Sequence, residues 1–123
     1  MRPIERHGPG SRTIDVYHLA LDFLVFAHEV IERLPRGRGH LADQFTRAST
    51  SIGLNIAEGA GKLSKPDKRR YYLSARGSAT ESAALLDVCL RLKLLEDATH
   101  RAGKEMIVRA VSMLIRLAQA CEE

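Results

Sequence analysis

Apolar residues recur along most of the chain at intervals of three and four, which is the spacing of amphipathic α-helices. The pattern predicts four helices, over about residues 15–34, 40–58, 65–94 and 97–121. The connections between them are short, so helices that follow each other in sequence should run antiparallel. We therefore predict an all-α fold, an up-down-up-down antiparallel four-helix bundle, with residues 13–121 as one domain and residues 1–12 as a flexible N-terminal arm.

The predicted third helix has the most clearly marked start. Ser64 is a good N-cap, Pro66 is tolerated in a first turn, and Asp67 occupies the capping-box position. Two seams of apolar or small residues follow, so this helix should pack against more than one neighbour. One seam comprises Tyr71, Ala75, Ser78, Ser82, Leu85, Cys89 and Leu92, and the other comprises Tyr72, Ala79, Ala83, Leu86, Leu90 and Leu94.

The predicted first helix is apolar around most of its circumference, so its own chain or a second subunit should enclose it. One face carries Ile14, Tyr17, Leu21, Leu24, His28 and Ile31; the other carries Ala20, Phe23, Ala27, Val30 and Leu34, and Val25 and Phe26 extend the coverage. Because His28 falls on an apolar face, we expect it to be an interior histidine with its polar atoms satisfied.

The apolar pattern predicts one inward face for the second helix and one for the fourth. The residues expected inside are Leu41, Phe45, Ala48, Ile52 and Ile56 in the second helix, and Met106, Ile107, Ala110, Val111, Leu114, Leu117, Ala118 and Cys121 in the fourth. Asp97 should be the N-cap of the fourth helix. Cys89 and Cys121 occupy apolar helical positions, which is typical of reduced core thiols in a cytoplasmic protein. The chain shows no signal peptide and no apolar run long enough to span a membrane.

The positive charge is unevenly distributed along the chain. Residues 1–80 contain thirteen Lys and Arg against eight Asp and Glu, whereas residues 81–123 contain six against seven. A basic half of this kind suits an acidic partner such as nucleic acid, although a solvated surface explains it equally well.

The densest basic cluster lies where the second predicted helix joins the third. It comprises Lys62, Lys65, Lys68, Arg69, Arg70 and Arg76, with Asp67 among them. Tyr71 and Tyr72 lie beside these cations, and aromatic rings interleaved with cations can stack on unpaired bases. We therefore predict that the six cations and Tyr72 bind RNA or DNA. The alternative is a solubilising surface with both tyrosines in the core.

Polar residues also fall at the predicted contact between the second and third helices: Arg47, Asn55, Glu58, Ser78 and Glu81. One interpretation is a functional carboxylate pair, Glu58 with Glu81. We favour a structural hydrogen-bonded network in which Glu58 or Glu81 pairs with Arg47 or Arg76, because buried polar groups persist when they are paired.

The sequence predicts neither a metal site nor catalysis. Asp15 and Asp97 each precede a histidine by three residues, but both lie at helix starts rather than in mid-bundle, where di-metal carboxylate proteins place their ligands. Nucleophilic triads and phosphate-binding loops have no match either. We expect a non-enzymatic protein with no cofactor, no metal and no catalytic residue.

Residues 47–81 resemble a known bacterial family. The motifs are Arg47-Ala48, Ser51-Ile52 and Asn55-Ile56-Ala57-Glu58-Gly59, followed by Gly61, Ser64, Ala75-Arg76-Gly77-Ser78 and Glu81. They are similar to the bacterial four helix bundle proteins, some of which are encoded in intervening sequences of the large-subunit ribosomal RNA gene and were formerly labelled ribosomal proteins. The accessory variability determinants of diversity-generating retroelements are distant structural relatives.

The resemblance extends over about residues 15–120 and implies a bundle that assembles as a homopentameric barrel, without an established activity. The relatives among the accessory variability determinants bind a reverse transcriptase and nucleic acid. Lys62 stands where the family often has arginine, and Tyr71-Tyr72 where a phenylalanine pair is more usual. We thus expect a non-enzymatic homo-oligomer that binds RNA or DNA through the joint. The alternative is a protein-interaction scaffold that docks a partner enzyme and binds no nucleic acid.

Overall fold

A computed structural model describes residues 11–122, which form four α-helices and no strand. The helices are α1 (Ser11–Glu32), α2 (Gly39–Ala60), α3 (Lys65–Arg91) and α4 (Asp97–Ala120). Each helix packs against two others, in the pairs α1–α2, α2–α3, α3–α4 and α1–α4. The helices therefore surround one core, and the predicted all-α architecture of four helices is confirmed. The assembly into a pentamer stays a prediction.

Helix α1 begins four residues before its predicted start and ends at Glu32, two residues before its predicted end. Ser11 and Arg12, which the sequence assigned to a flexible arm, belong to the helix. The rest of that predicted arm, residues 1–10, lies outside the described residues.

The ends of α3 show why its start was easier to predict than its end. The Asp67 amide donates a hydrogen bond to Ser64 Oγ over 3.2 Å, which confirms the predicted cap. At the other end the amides of Lys93 and Leu94 donate to the carbonyls of Leu90 and Cys89 over 2.9 and 2.8 Å. This is a Schellman motif with Lys93 at a φ of 62°, and it stops the helix three residues before the predicted end. A lysine in the left-handed region gives no sequence signal of that kind.

The core draws on all four helices and agrees with most of the predicted inward residues. The five predicted in α2 are all buried, as are Ile107, Ala110, Leu114, Leu117 and Ala118 in α4. Val16 and Leu19 are also buried, although neither was assigned to an inward face. The fourth helix is capped by Glu96 rather than Asp97, without a side-chain cap bond.

His28 and the two cysteines occupy different environments. His28 is exposed and its Nε2 lies 3.0 Å from Glu32 Oε1, so the prediction of an interior histidine is wrong. The physical reason is that α1 leaves part of its apolar surface outside the bundle, and His28 lies on that part. Cys89 is buried, and burial raises the pKa of its thiol, whereas Cys121 is only half-buried.

One side of α1, where it meets α2, keeps apolar residues at the surface. Val25 and Leu54 are each 62% exposed, and four neighbours on α1 are only half-buried. We call this set the α1–α2 apolar surface; its members are Ile14, Tyr17, Leu21, Leu24, Val25 and Leu54. The other helices of the chain do not cover this part of α1. Within residues 11–122 no helix is both long and apolar enough to span a membrane.

Candidate nucleic-acid interface at the α2–α3 joint

The joint consists of the last turn of α2, the connection through Leu63, and the first turns of α3. Lys68 reaches back from α3, and its Nζ donates hydrogen bonds to the carbonyls of Ala60 and Gly59 over 3.0 and 3.4 Å. These carbonyls lie at the end of α2, where a helix lacks intrahelical partners and favours positive charge. The ammonium of Lys68, which the sequence assigned to nucleic acid, therefore holds the joint together.

Tyr72 is only 3% exposed, so its ring cannot stack on bases at the surface and that prediction is wrong. The ring faces α2, where an added Cβ at Gly59 would lie 2.8 Å from Tyr72 Cε1. Burial raises the pKa of the Tyr72 phenol, and a hydrogen bond with the Thr13 side chain opposes that shift. Tyr72 is thus a core residue that joins the start of α1 to the α2–α3 contact.

Tyr71 is the aromatic side chain that remains near the surface. Lys62 Nζ lies 5.1 Å and Arg70 Cζ lies 5.3 Å from the centre of its ring, which is cation–π geometry. Lys62 Nζ also lies 3.9 Å from Glu58 Oε2. The half-buried Tyr71 therefore holds two cations at the α2 side of the joint.

The remaining cations lie along the edge of α3 that faces α4. Arg69 shows this position directly, since its Nη2 and Nε lie 3.1 and 3.2 Å from Glu122 Oε1 beyond the end of α4. Lys65 and Arg76 are four residues before and seven residues after Arg69, so the helical period places them on the same edge. Both are exposed, and Arg76 forms no salt bridge within the described residues.

The joint as a whole carries surplus positive charge. Three of the six cationic side chains form ion pairs: Lys62 with Glu58, Arg69 with Glu122 and Arg70 with Asp67. The contact of Arg70 with Asp67 is long, 3.6 Å, and the Arg70 side chain is 67% exposed. Leu63 protrudes from the middle of this surface and is fully exposed.

The polar residues at the α2–α3 contact form a smaller network than expected. Ser51 Oγ lies 2.8 Å from Ser78 Oγ, and Asn55 Nδ2 donates to Ser51 Oγ and to the Ser51 carbonyl, each over 2.9 Å. Asn55 and Ser78 thus belong to one chain of hydrogen bonds across the two helices. Ser51, which supplies the link, was not among the predicted members.

The charged members predicted for this network lie outside it. Glu58 approaches Lys62, while Arg47 and Glu81 are exposed and form no salt bridge within residues 11–122. Because Ser51 faces Ser78 and the helices run antiparallel, Glu81 is level with about residue 48. That is ten residues along the bundle from Glu58, or about 15 Å at 1.5 Å per residue. The two carboxylates therefore do not form a pair.

No group of three or more potential metal ligands comes together within the described residues. His100 lies 2.7 Å from Asp87 Oδ1 on α3, and Lys104 Nζ lies 2.8 Å from the same oxygen. Hydrogen bonds from Lys104 and His100 lower the pKa of Asp87. This cluster joins α3 to α4 at the surface.

Two residues of the joint were missed by the sequence analysis. Glu122 neutralises Arg69, but nothing in the sequence indicates that a residue 53 positions away reaches it. Leu63 could have been found, because an apolar residue in a connection between Lys62 and Lys65 is unlike the usual polar loop.

Together these features define a helical bundle with a basic joint between α2 and α3. The family model of the 23S rRNA-intervening sequence proteins matches residues 12–116, and the chain belongs to that family. No curated protein matches the chain.

Among solved structures, the chain is similar to a protein of unknown function from the S23 ribosomal protein family of Bacteroides thetaiotaomicron. The TM-score is 0.82 at 21% identity, and the match covers 88% of this chain and 98% of that one. At this identity the likeness shows the fold alone.

Proposed function

We propose that this protein is a non-enzymatic, oligomeric bundle that binds RNA or DNA through the α2–α3 joint. The observation that carries the proposal is the cluster of six cationic side chains at the joint, among which Lys65, Arg70 and Arg76 are exposed. When Lys and Arg side chains neutralise the phosphates of a nucleic acid, the counterions condensed on those phosphates are released. This counterion release supplies most of the affinity of a sequence-independent binder.

The contributions of the individual cations differ. Lys68 donates to the neutral carbonyls of α2, so it supplies fixed positive charge to the surface, whereas the charge of Arg69 is balanced by Glu122. Lys65, Arg70 and Arg76 are exposed, so their side chains can reorient toward phosphates. Tyr71, with two cations against its ring, replaces Tyr72 as the aromatic side chain expected to contact bases at the surface of the joint.

The α1–α2 apolar surface supports the oligomeric part of the proposal. An apolar surface of this kind is typical of a contact with another protein surface, and a second copy of the chain would remove Val25 and Leu54 from water. The pentamer that the family resemblance implies would place five joints on one assembly and multiply weak phosphate contacts. Sedimentation equilibrium should therefore give five times the mass of the chain, and a monomer at micromolar concentration would exclude this assembly.

Fluorescence anisotropy with labelled single-stranded and duplex RNA and DNA tests the binding. A joint variant, Lys65→Gln with Arg70→Gln and Arg76→Gln, removes the three exposed cations and leaves Lys68 and Arg69 in place. The matched control is Arg33→Gln with Arg36→Gln and Arg91→Gln, because these exposed cations lie at the opposite end of the bundle. We expect the joint variant to bind much more weakly than the control at low salt. Equal binding by both variants would reject the joint as the interface.

A specific feature of α4 favours the protein scaffold as a second candidate function. Val108 is 64% exposed and lies in a surface depression of about 520 Å³ that Arg101, Lys104 and Arg109 also line. An apolar centre with arginines around it is typical of protein interfaces. A protein that wild type captures from nuclease-treated extract and that Val108→Asp does not capture would support this function.

A further inference from the structure

A cleft of about 700 Å³ opens at the joint end of the bundle. All four helices contribute to it: Thr13 and Ile14 come from the start of α1, Tyr72 from α3, and Leu117 and Cys121 from the end of α4. Ala60 closes the wall on the α2 side. The walls are mostly apolar, and the volume is within the range of roughly 300–1,000 Å³ that is usual for pockets that bind small organic groups.

The same cleft is continuous with the basic joint. Lys65 and Lys68 line it, and the fully exposed Leu63 stands at its edge. Lys68 is held by the carbonyls of α2, so its positive charge is fixed beside the opening. If the phosphate of a nucleotide lies on the joint, the base of the same nucleotide would therefore be close enough to enter the apolar cleft.

Few polar side chains line the cleft. The Thr13 hydroxyl and the half-buried Cys121 are among those that do. A hydroxyl can both donate and accept a hydrogen bond. The cleft thus combines apolar walls for a flat ring with a hydroxyl for the ring's polar edge.

We propose that this cleft receives one nucleobase of a single-stranded segment whose phosphates lie on the basic joint. The inference rests on the proposed function and adds the class of ligand, an unpaired base. Removing the apolar face of the base and the side chains of Ile14 and Leu63 from water favours insertion. A duplex would first have to unpair and unstack the base, so single strands should be preferred.

Cys121 provides a direct test, because it lines the cleft while Cys89 is buried and serves as the internal reference. The alkylation rate of Cys121 by iodoacetamide would be measured in the full chain, alone and with two oligomers. One is a twelve-nucleotide oligothymidylate, and the other is an abasic oligomer with the same number of phosphates. Each is added at a concentration that saturates its own anisotropy signal.

The two oligomers should differ in the protection that they give. If a base occupies the cleft for about 90% of the time, mass action slows Cys121 alkylation by about tenfold. The abasic oligomer should leave the rate nearly unchanged. Equal protection by the two oligomers would overturn the inference while the proposed function stands. A Cys121 that is already unreactive in the free protein would also overturn it, because the cleft would then be closed. Failure of both oligomers to bind, together with failure of the labelled RNAs in the anisotropy assay, would reject the proposed function itself.

A variant in which a larger side chain fills the cleft provides an independent test, with affinity as the measured quantity. Ala120 lines the cleft at the end of α4 and is exposed, so Ala120→Phe should occupy the space without disturbing the core. Ala102→Phe is the matched control, because Ala102 is exposed near the other end of the same helix. We expect Ala120→Phe to lower the affinity for oligothymidylate to that for the abasic oligomer, with the salt dependence unchanged. Unchanged affinity for both oligomers in Ala120→Phe would contradict the inference.

Discussion

Tyr72 packs so closely against Gly59 that a methyl group at position 59 would lie 2.8 Å from Tyr72 Cε1 and 3.0 Å from Cδ1. The absence of a side chain at Gly59 lets α2 and α3 approach each other at the joint. The contact fixes the Tyr72 ring inside the bundle and leaves the adjacent Tyr71 near the surface. It therefore decides which of the two neighbouring tyrosine rings lies near the surface of the joint.

Gly59→Ala should destabilise the protein, although alanine is the better helix former. The overlap with the Tyr72 ring and with Tyr71 Cβ, at 3.1 Å, should cost about 1–3 kcal/mol, as overpacking usually does. Gly103→Ala should behave in the same way, because its Cβ would lie 2.6 Å from Phe26 Cε1 and 2.7 Å from Leu86 Cδ1. Urea unfolding measures both changes.

Gly77→Ala is the control for these two substitutions. An added Cβ at Gly77 meets no atom within 4 Å, so this exposed helical position should gain about 0.5–1 kcal/mol of stability from the better helix former. If all three substitutions stabilised the protein equally, the close packing at Gly59 and Gly103 would be incorrect.

Lys68→Met should show that this side chain has a structural role. Methionine keeps the apolar length but loses the hydrogen bonds to the carbonyls of Gly59 and Ala60, so the variant should lose about 0.5–1.5 kcal/mol. Arg76→Met removes an exposed cation of the same patch that forms no salt bridge within the described residues, and should change stability little. Thermal unfolding of the two variants side by side distinguishes these outcomes. A loss for Lys68→Met no larger than that for Arg76→Met would mean that Lys68 does not hold the end of α2.

Lys93→Gly should stabilise the protein by about 1 kcal/mol, because glycine adopts the left-handed conformation of this Schellman motif without steric strain. The change touches only an exposed position after α3. Arg91→Gly places the same residue inside the last turn of α3 and should destabilise instead. Chemical denaturation of both variants checks the sign, and a destabilising Lys93→Gly would contradict the backbone conformation at this residue.

Asp87 should make the α3–α4 contact sensitive to acid. Hydrogen bonds from Lys104 and His100 lower the pKa of Asp87 in the folded state, so the carboxylate stabilises the fold at neutral pH. That stabilisation is fully present above the unfolded pKa of about 3.9 and is lost as the pH falls through the lower folded pKa. The contribution should be small, at most about 1 kcal/mol, because the side chain is 55% exposed.

Asp87→Asn should therefore unfold more readily than wild type at neutral pH. Below the folded pKa of Asp87 the two proteins should have equal stability, as measured by urea unfolding across the acid range. A difference between them that stays constant with pH would show that the carboxylate is not the source of the effect.

The helices were predictable from the sequence because their patterns are local. The periodic apolar residues and the Ser64 cap act within a few positions, so α2 and the start of α3 agree with prediction. The end of α3 was not predictable, because Lys93 adopts a conformation that lysine rarely takes. His28 could not be placed either, since the period shows which residues share a face but not whether a neighbouring helix covers it.

The candidate site was predictable as a cluster of charge but not as a set of contacts. Sequence spacing placed five of the six cations at the joint, as in the structure, whereas Arg76 lies eleven residues after Lys65, about 16 Å along α3. The hydrogen bonds of Lys68 to the α2 carbonyls, the ion pair of Arg69 with Glu122 and the contact of Tyr72 with Gly59 depend on the start of α1 and the ends of α2 and α4 lying together. Those are tertiary relationships, and no local pattern encodes them.

The salt dependence of binding tests the central claim most directly. For wild type, the joint variant and the opposite-end control, the logarithm of the affinity for a single-stranded RNA is measured against the logarithm of the salt concentration. Each lost phosphate contact flattens the slope by about 0.7–0.9, so the joint variant should lose up to about two to three units. The control should keep the wild-type slope. Equal slopes for the joint variant and wild type, or the absence of salt-dependent binding by wild type, would contradict nucleic-acid binding at the α2–α3 joint.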